Sequence, residues 1–455
     1  MKRRSITMTE GKLLPNMLAF YFPLVASSIL QLLFNAADII VVGKFAGDNS
    51  LAAVSSTGSL VGLLVNSFIG ISTGTNVVVA RYLGADEKDK VHDAVHSSVA
   101  FALLGGAVMA VFGFFGSRWM LELMDSPADV IDLSALYLKI YFLGVPFSLL
   151  YNFEAAVLRS KGDTKRPLLF LTIAGFVNVV LNLLLVIVFK MDVAGVAVAT
   201  VVSQVISALL ITLSLLKEEW YLKLYPRQIR LEKNSFFEIM KVGLPAGIQS
   251  ALFSVSNVLI QSSVNSFGSS VMAGNGAAVN IENFTYSIMN GFYQTGQTFI
   301  GQNYGARKFD RILKTAALSL VLVIISGILA SSVVMAVPEF FLEIYTDSPA
   351  VIAAGIDRFT YVEKWYFLDG IMDVMSGVLR GMGYSMVPMI VTIFGVCVFR
   401  IIWIKTVFKA VPLISNVYIT YPISWIMTFV GHVIMFLIVL PKVKKYCEEK
   451  EKTAD

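Results

Sequence analysis

Long apolar stretches, separated by short polar ones, run through almost the whole chain. Segments such as 167–189, 193–216 and 311–337 carry almost no charge. Each is about 20 residues or more, enough to cross a hydrocarbon core of roughly 30 Å as a helix. The runs are continuously apolar rather than alternating, which argues against a barrel. The pattern predicts twelve spans, near 15–42, 51–80, 92–116, 131–157, 167–189, 193–216, 237–265, 271–300, 311–337, 352–379, 387–409 and 415–440. Residues 217–236 are the long polar and amphipathic stretch inside the chain, and they separate six spans from six. The expected organisation is an N-terminal six-helix lobe over 1–216, a cytoplasmic linker over 217–236, a C-terminal six-helix lobe over 237–440 and a cytoplasmic tail over 441–455. The fold class is an all-α polytopic membrane protein.

The two halves repeat each other at an offset of about 221 residues. Leu158-Arg159-x-x-Gly162 with Pro167 returns as Leu379-Arg380-x-x-Gly383 with Pro388. Asp125-Ser126-Pro127 returns as Asp347-Ser348-Pro349, and Gly84-Ala85 as Gly305-Ala306. Pro23, Asn35 and Phe45 return as Pro245, Asn257 and Phe267. An even number of spans precedes the second copy, so it enters the membrane in the same direction as the first. The repeats are therefore parallel, related by an axis along the membrane normal.

Composition agrees, with 56% hydrophobic and 15% charged residues, too little charge to cover a soluble protein of 455 residues. With the N-terminus inside, most of the 36 Lys and Arg fall on the cytoplasmic side, from Lys2, Arg3 and Arg4 through the linker to Lys450 and Lys452. The outer loops hold few, among them Lys44, Arg118, Lys190, Arg358, Lys405 and Lys409. This asymmetry orients the chain with both termini cytoplasmic. The net charge of +5 is then an orientation signal, and nucleic acid is not an expected partner. The first apolar segment, interrupted by Pro15, Pro23 and Asp38, reads as a span rather than a cleavable signal. Cys397 and Cys447 are not expected to form a disulfide, and they exclude a Cys metal site. His92 and His96 share a helix face at a cytoplasmic end, where a solvated pair is the plainer account.

Candidate chemistry lies where the copies disagree. Ionisable groups deep in spans are costly in lipid and face a cavity or a partner. Asp38 of the first span aligns with Ile260, so the scaffold itself does not require an acid there. Such a carboxylate suits proton carriage or exchange of a proton for Na⁺, the alternative being a cap at the outer helix end. Asn178 and Asn182 share a face of the fifth span, and Thr200 of the sixth can add an oxygen; with a single carboxylate these oxygens suit a hard monovalent cation or a proton network, and without Asp38 nearby interhelical hydrogen bonding would be the plainer role. In the second copy, Asp369 and Asp373 share a face of the tenth span, and Asp369 aligns with Ser148. Glu282 lies in the eighth span, and Gln249, Asn257 and Gln261 line a stripe of the seventh. Glu154 is placed to pair with Arg159, while Lys139 and Lys364 read as snorkelling residues. Phe34, Phe253, Tyr286, Met289, Tyr293, Met372 and Met375 lie on the same segments. Together with buried acids they suit an amphipathic cation.

These features resemble the multidrug and toxic compound extrusion (MATE) family over essentially the whole chain. The likeness rests on Asn35-Ala36-Ala37-Asp38 with Gly43, on Leu158-Arg159-Ser160-Lys161-Gly162-Asp163-Thr164 with Pro167, and on Ala194-Gly195-Val196-Ala197-Val198-Ala199-Thr200. It extends to Gly301-Gln302-Asn303-Tyr304-Gly305-Ala306 and Gly377-Val378-Leu379-Arg380-Gly381. The resemblance implies two six-helix lobes forming a V-shaped cavity, and efflux of organic cations driven by inward H⁺ or Na⁺. It places an ion or proton site on Asp38, Asn178, Asn182 and Thr200, although many members have Asp where this chain has Asn182. The branch with an acid eight residues after the seventh-span proline has its counterpart here in Phe253, whereas Asp369 matches that branch's tenth-span acid. A substrate or second coupling site is thus expected among Asp369, Asp373, Glu282, Gln249, Asn257, Gln261, Tyr293, Met289 and Phe253.

The expected function is therefore a secondary antiporter working by alternating access in a plasma membrane, bacterial by expectation. It would be a monomer with no cofactor, no catalytic residues and no metal beyond Na⁺ at Asp38. A flippase for lipid-linked or polysaccharide precursors is the alternative, disfavoured by acidic rather than basic groups at mid-span. A membrane-embedded enzyme would need a nucleophile–base or metal constellation that three His and two Cys do not supply. A pure scaffold would have no use for Asp38, Asp369, Asp373 and Glu282.

Overall fold

The computed structural model describes residues 6–124, 126–127 and 130–449. Asp125 of the first Asp-Ser-Pro motif and the basic residues Lys2, Arg3, Arg4, Lys450 and Lys452 lie outside them. Among the described residues all regular secondary structure is helical. The first copy contains α1 (Leu13–Phe45), α2 (Asp48–Gly84), α3 (Lys88–Leu123), α4 (Ile131–Ser160), α5 (Lys165–Asn182) and α6 (Asp192–Leu215). The second contains α7 (Lys233–Asn265), α8 (Ser269–Gly305), α9 (Phe309–Ala336), a short α10 (Pro338–Glu343), α11 (Pro349–Tyr361) and α12 (Phe367–Gly381). It continues with α13 (Met386–Thr392), α14 (Phe399–Trp403), α15 (Ile414–Tyr418) and α16 (Thr420–Glu448). Ten helical segments among the described residues are long and apolar enough to cross a membrane. With α8 and the α11–α12 pair they give the twelve expected spans, and the protein is an all-α polytopic membrane protein. Apolar side chains such as Val108, Phe115, Phe176 and Val188 are exposed, which lipid tolerates and water would not.

The repeated Arg-x-x-Gly motif has a backbone cause. Gly162 and Gly383 follow the ends of α4 and α12 with φ of +97° and +89°. In each copy a helix-terminating pair of bonds forms, Gly162 N to Arg159 O and Asp163 N to Leu158 O in one, Gly383 N to Arg380 O and Tyr384 N to Leu379 O in the other. A side chain at either glycine would be strained in that left-handed conformation.

Four departures from continuous α-helix, in three spans, were not read from the pattern. The tenth span breaks between α11 and α12, where Glu363–Trp365 form a 3₁₀ turn. The fifth span ends in a π-helical turn, Leu183–Val188. The eleventh carries two such turns, Ile393–Val398 and Ile404–Phe408, the second at the repeat offset from the fifth. Apolar letters continue through the π turns at 183–188 and 393–398, so hydropathy cannot reveal those, whereas the break carries Glu363 and Lys364 and the turn at 404–408 carries Lys405; π turns of this kind gather at functional sites.

Contacts divide the chain into two compact units. The N-terminal unit comprises Ile6, Ala26–Leu83 and Glu87–Gly247, and the C-terminal unit comprises Thr7–Val25, Gly84–Asp86 and the chain from Ile248. The boundary therefore runs through α1 and α7, just past Pro23 and Pro245, rather than through the linker. A proline removes a helix hydrogen bond at each crossover. In the N-terminal unit, α2 and the first part of α7 cross at Gly70, Gly74, Gly243 and Gly247. A Cβ on Gly74 would lie 2.3 Å from Ile239 O, and one on Gly243 2.3 Å from Ile71 O. In the C-terminal unit the first part of α1 stacks Tyr21 on Phe292 at 3.8 Å between ring centroids.

The linker packs on the N-terminal unit. Leu222 and Leu224 are buried in a core with Val91, Val95, Leu158 and Leu215. Lys161 Nζ lies 2.7 Å from Glu218, which also pairs with Arg166. His92 and His96 serve this packing rather than standing as a solvated pair: His92 Nε2 is 2.7 Å from Gln228 Oε1, and the Tyr225 amide donates to His96 Nε2 at 3.0 Å.

Candidate functional site

Three of the four coupling candidates meet in the N-terminal unit. Phe34 of α1 lies over Gly175 of α5, where even a Cβ would fall within 1.8 Å of the ring. That absence of a side chain lets α1 and α5 approach, so the next turns bring Asp38 opposite Asn178 and Asn182. Asn182 Nδ2 donates to Asp38 Oδ1 and lies 3.3 Å from Asn178 Oδ1. Asn178 and Asn182 are buried, and Asn182 Oδ1 has no hydrogen-bond partner among the described residues. Thr200 is not joined to them by a hydrogen bond; its hydroxyl donates to Val196 O of its own helix at 2.9 Å. Beyond Asp38, Val41, Val42, Val54, Val186, Val193 and Val196 form an apolar cluster with Tyr137 packed against it. Among the described residues Asp38 has no cationic side chain in ion-pair contact.

The C-terminal unit handles its acids differently. Glu282 of α8 forms a forked pair with Arg358 of α11, Nη2 to Oε2 at 2.6 Å and Nε to Oε1 at 2.9 Å. The same guanidinium donates to Asn275 Oδ1 at 2.8 Å, and Asn275 Nδ2 donates to Gln261 Oε1 at 2.8 Å. Gln261 is thus tied into the Glu282 network. Gln249 and Tyr293 share another guanidinium, each accepting from Arg380 at 2.7 Å. Asp373 lies within reach of the Tyr286 hydroxyl, and its charge interacts with that of Arg380. Asn257 Oδ1 accepts from Arg400 Nη1 at 3.3 Å, and the Phe253 ring lies 5.7 Å from the same guanidinium. Asp369 is buried one helical turn from Asp373, with Arg400 the cation acting on it electrostatically. Met289 is buried, its Sδ filling the space against Gly327 and Gly370.

Several partners of these residues escaped the sequence reading. Arg358, counted above with the outer loops, is buried in α11. Arg400, never singled out, has 1% of its surface exposed. Glu363 is fully buried at the break in the tenth span and accepts from Thr285 Oγ1 at 2.9 Å. Glu154 accepts from Thr212 Oγ1 at 2.7 Å. The rule that flagged the acids, that a charge deep in a span needs a partner, flags Arg400 as well, and Arg400 aligns with apolar Val179 at the repeat offset.

Comparison with known proteins places these features in context. The MatE family model matches twice, over residues 23–184 and 245–404. The "Probable multidrug resistance protein YoeA" of Bacillus subtilis (strain 168) is 28% identical over 390 residues, 84% of each chain. The "Probable multidrug resistance protein NorM" of Thermotoga maritima is 25% identical over 387 residues, 83% of this chain and 82% of that one. A solved structure described as the outward-facing conformation of a multidrug resistance MATE family transporter of the MOP superfamily aligns with a TM-score of 0.90. It is 20% identical and covers 98% of this chain and 100% of its own.

Proposed function

The chain belongs to the MatE family of multidrug and toxic compound extrusion transporters, and from that premise we propose that it exports amphipathic organic cations in exchange for H⁺ or Na⁺ by alternating access. It is a transporter and not an enzyme. Asp38, with Asn178 and Asn182 beside it, is the coupling carboxylate of this reading, and Thr200 borders the site. The observation that supports it is the contrast between the units: Glu282 has a forked arginine partner, whereas Asp38 has an amide donor and an adjacent buried amide oxygen without a partner. An unneutralised carboxylate beside spare oxygen ligands suits a small hard cation or a proton. Asp373, with Tyr293 and Met289 on the surrounding helices, forms the substrate side in this reading, and Asp369 and Phe253 border it next to Arg400. Gln249, Asn257 and Gln261 orient the guanidinium groups there, and Glu282 holds α8 to α11.

The cycle then runs on one charge. Binding of the ion at Asp38 from outside neutralises the carboxylate, changes the packing of α1 against α5 and favours substrate release outward. Loss of the ion to the cytoplasm restores the form that admits substrate. The basic residues on the linker and near the inner helix ends support a plasma-membrane protein with both termini cytoplasmic, working as a monomer.

Lipid-linked anionic precursors are the second reading, favoured by the buried guanidiniums of Arg358, Arg380 and Arg400. Each has a carboxylate, amide or aromatic partner, however, so no unopposed positive field awaits a pyrophosphate. The test is transport of a dye cation in proteoliposomes under separately imposed pH and Na⁺ gradients. The reading expects movement against the dye gradient that one ion gradient drives and that collapses with it. Dye movement indifferent to both gradients, or transport confined to anionic lipid-linked substrates, would overturn it.

A further inference from the structure

Arg400 presents a cation where the acids of the C-terminal unit invite one. It sits between the two π-helical turns of the eleventh span, and its guanidinium is stacked at 4.2 Å from the Tyr421 ring centroid and 5.7 Å from that of Phe253. Nε donates to Ser424 Oγ at 3.1 Å and Nη1 to Asn257 Oδ1 at 3.3 Å, while Nη2 is buried without a hydrogen-bond partner among the described residues. Its ring neighbours and the helix of Asp369 share one core, in which Met372 of α12, Val396 and Trp425 are buried with Phe253 and Tyr421 against them. No direct ion pair joins Asp369 to Arg400, but each charge acts on the other across the gap. Aromatic faces, an amide oxygen and a buried carboxylate are the elements of an organic-cation site. Here the cation is supplied by the chain itself.

We propose that Arg400 is a tethered counter-cation, its guanidinium filling a site for guanidinium-class organic cations formed by Asp369, Tyr421, Phe253 and Asn257. While Arg400 is in place the site is neutral and closed to free alkali ions, which leaves the coupling ion to the N-terminal unit. Arg400 is thus a specificity-determining residue. The inference rests on the coupling role assigned to Asp38, but its test reads binding and stability rather than transport, so the two can fail separately.

The test uses the purified full-length protein in the Asp38→Asn background, which removes any ion effect of the N-terminal unit. In Arg400→Ala, millimolar methylguanidinium should raise the thermal unfolding midpoint by about 2 °C or more, while its neutral isostere methylurea should not. Protein retaining Arg400 should not respond to either. Adding Asp369→Asn to Arg400→Ala should abolish the response. Na⁺ should stabilise Arg400→Ala in an Asp369-dependent way and leave protein with Arg400 unmoved. Absence of methylguanidinium rescue, or rescue that survives Asp369→Asn, overturns the proposal. Na⁺ stabilisation that needs Asp369 while Arg400 is present overturns it too. Should Arg400→Ala fail to fold, Asp369→Asn alone must lower the midpoint and Arg400→Gln added to it must restore it; a neutral Asp369→Asn refutes the pairing.

Discussion

Replacing Glu282 by Gln probes the most completely engaged charge pair of the C-terminal unit. The substitution keeps the side-chain shape and removes one charge from a pair whose side chains are 3% and 4% exposed. Arg358 would keep its bond to Asn275 at 2.8 Å and its places 5.1 and 5.5 Å from the Tyr421 and Tyr418 rings. It would lose both charge-assisted bonds to the carboxylate, and the remaining buried acid nearby, Glu363, already accepts from Thr285. A buried ion left without its partner costs about 3–5 kcal/mol. Replacing both members together, as Glu282→Gln with Arg358→Met, removes the stranded charge, so the double variant should recover about 2–3 kcal/mol of the summed single losses. Unfolding of the four proteins in one detergent measures the cycle, and dye-cation transport per folded molecule measures function. The expected result is large single losses, a strong favourable coupling and retained transport in the double variant. If Glu282→Gln stays within about 0.5 kcal/mol of the parent, or the losses simply add, the pair does not hold α8 to α11.

Three further outcomes follow from the same geometry. Asn182→Ala removes the donor to Asp38 and should weaken ion-driven efflux roughly 10-fold or more, since a hydrogen bond to a charged group is worth about 1.5–3 kcal/mol; initial efflux rates in proteoliposomes decide it. Gly175→Val drives a side chain into the Phe34 ring and should cost about 1–3 kcal/mol of stability and uncouple transport, whereas a neutral result by unfolding and efflux would mean that α1 and α5 need not touch. The linker clamp should fail in acid: burial pushes the Glu218 carboxyl up, but Lys161 and Arg166 outweigh it and hold it below the ordinary carboxylate value. A depressed folded-state value stabilises the clamp above the unfolded one, near pH 4.5, and that stability is lost as pH falls through the folded one; hydrogen exchange at 217–224 should therefore rise there, and Glu218→Gln should abolish the pH step.

The spans and the duplication were legible in the sequence because each leaves a periodic or positional trace, while the grouping of Asp38 with Asn178 and Asn182 came from the family resemblance. Apolar runs mark the helices, the recurrence of Leu-Arg-x-x-Gly marks the repeat, and Ile260 opposite Asp38 marks the asymmetry. The rest depends on tertiary pairing. Arg358 follows a helix start and precedes more polar residues, so by position it reads as a loop charge; its burial depends on Glu282, 76 residues earlier. The π turns at 183–188 and 393–398 keep the same apolar letters as a straight helix, and the charges at Glu363 and Lys364 do not by themselves show that the helix breaks there. Nor does the sequence announce that α1 and α7 pass from one unit to the other, because Pro23 and Pro245 each interrupt a helix that remains one element.

The central claim is that one carboxylate in the N-terminal unit couples the ion to the substrate. The most direct measurement is ion-driven dye-cation efflux by Asp38→Asn beside the parent, reconstituted to equal amounts of folded protein. Neutral Asn at 38 should abolish gradient-driven efflux while leaving binding of the dye intact. Full antiport by the Asp38→Asn protein would contradict the account.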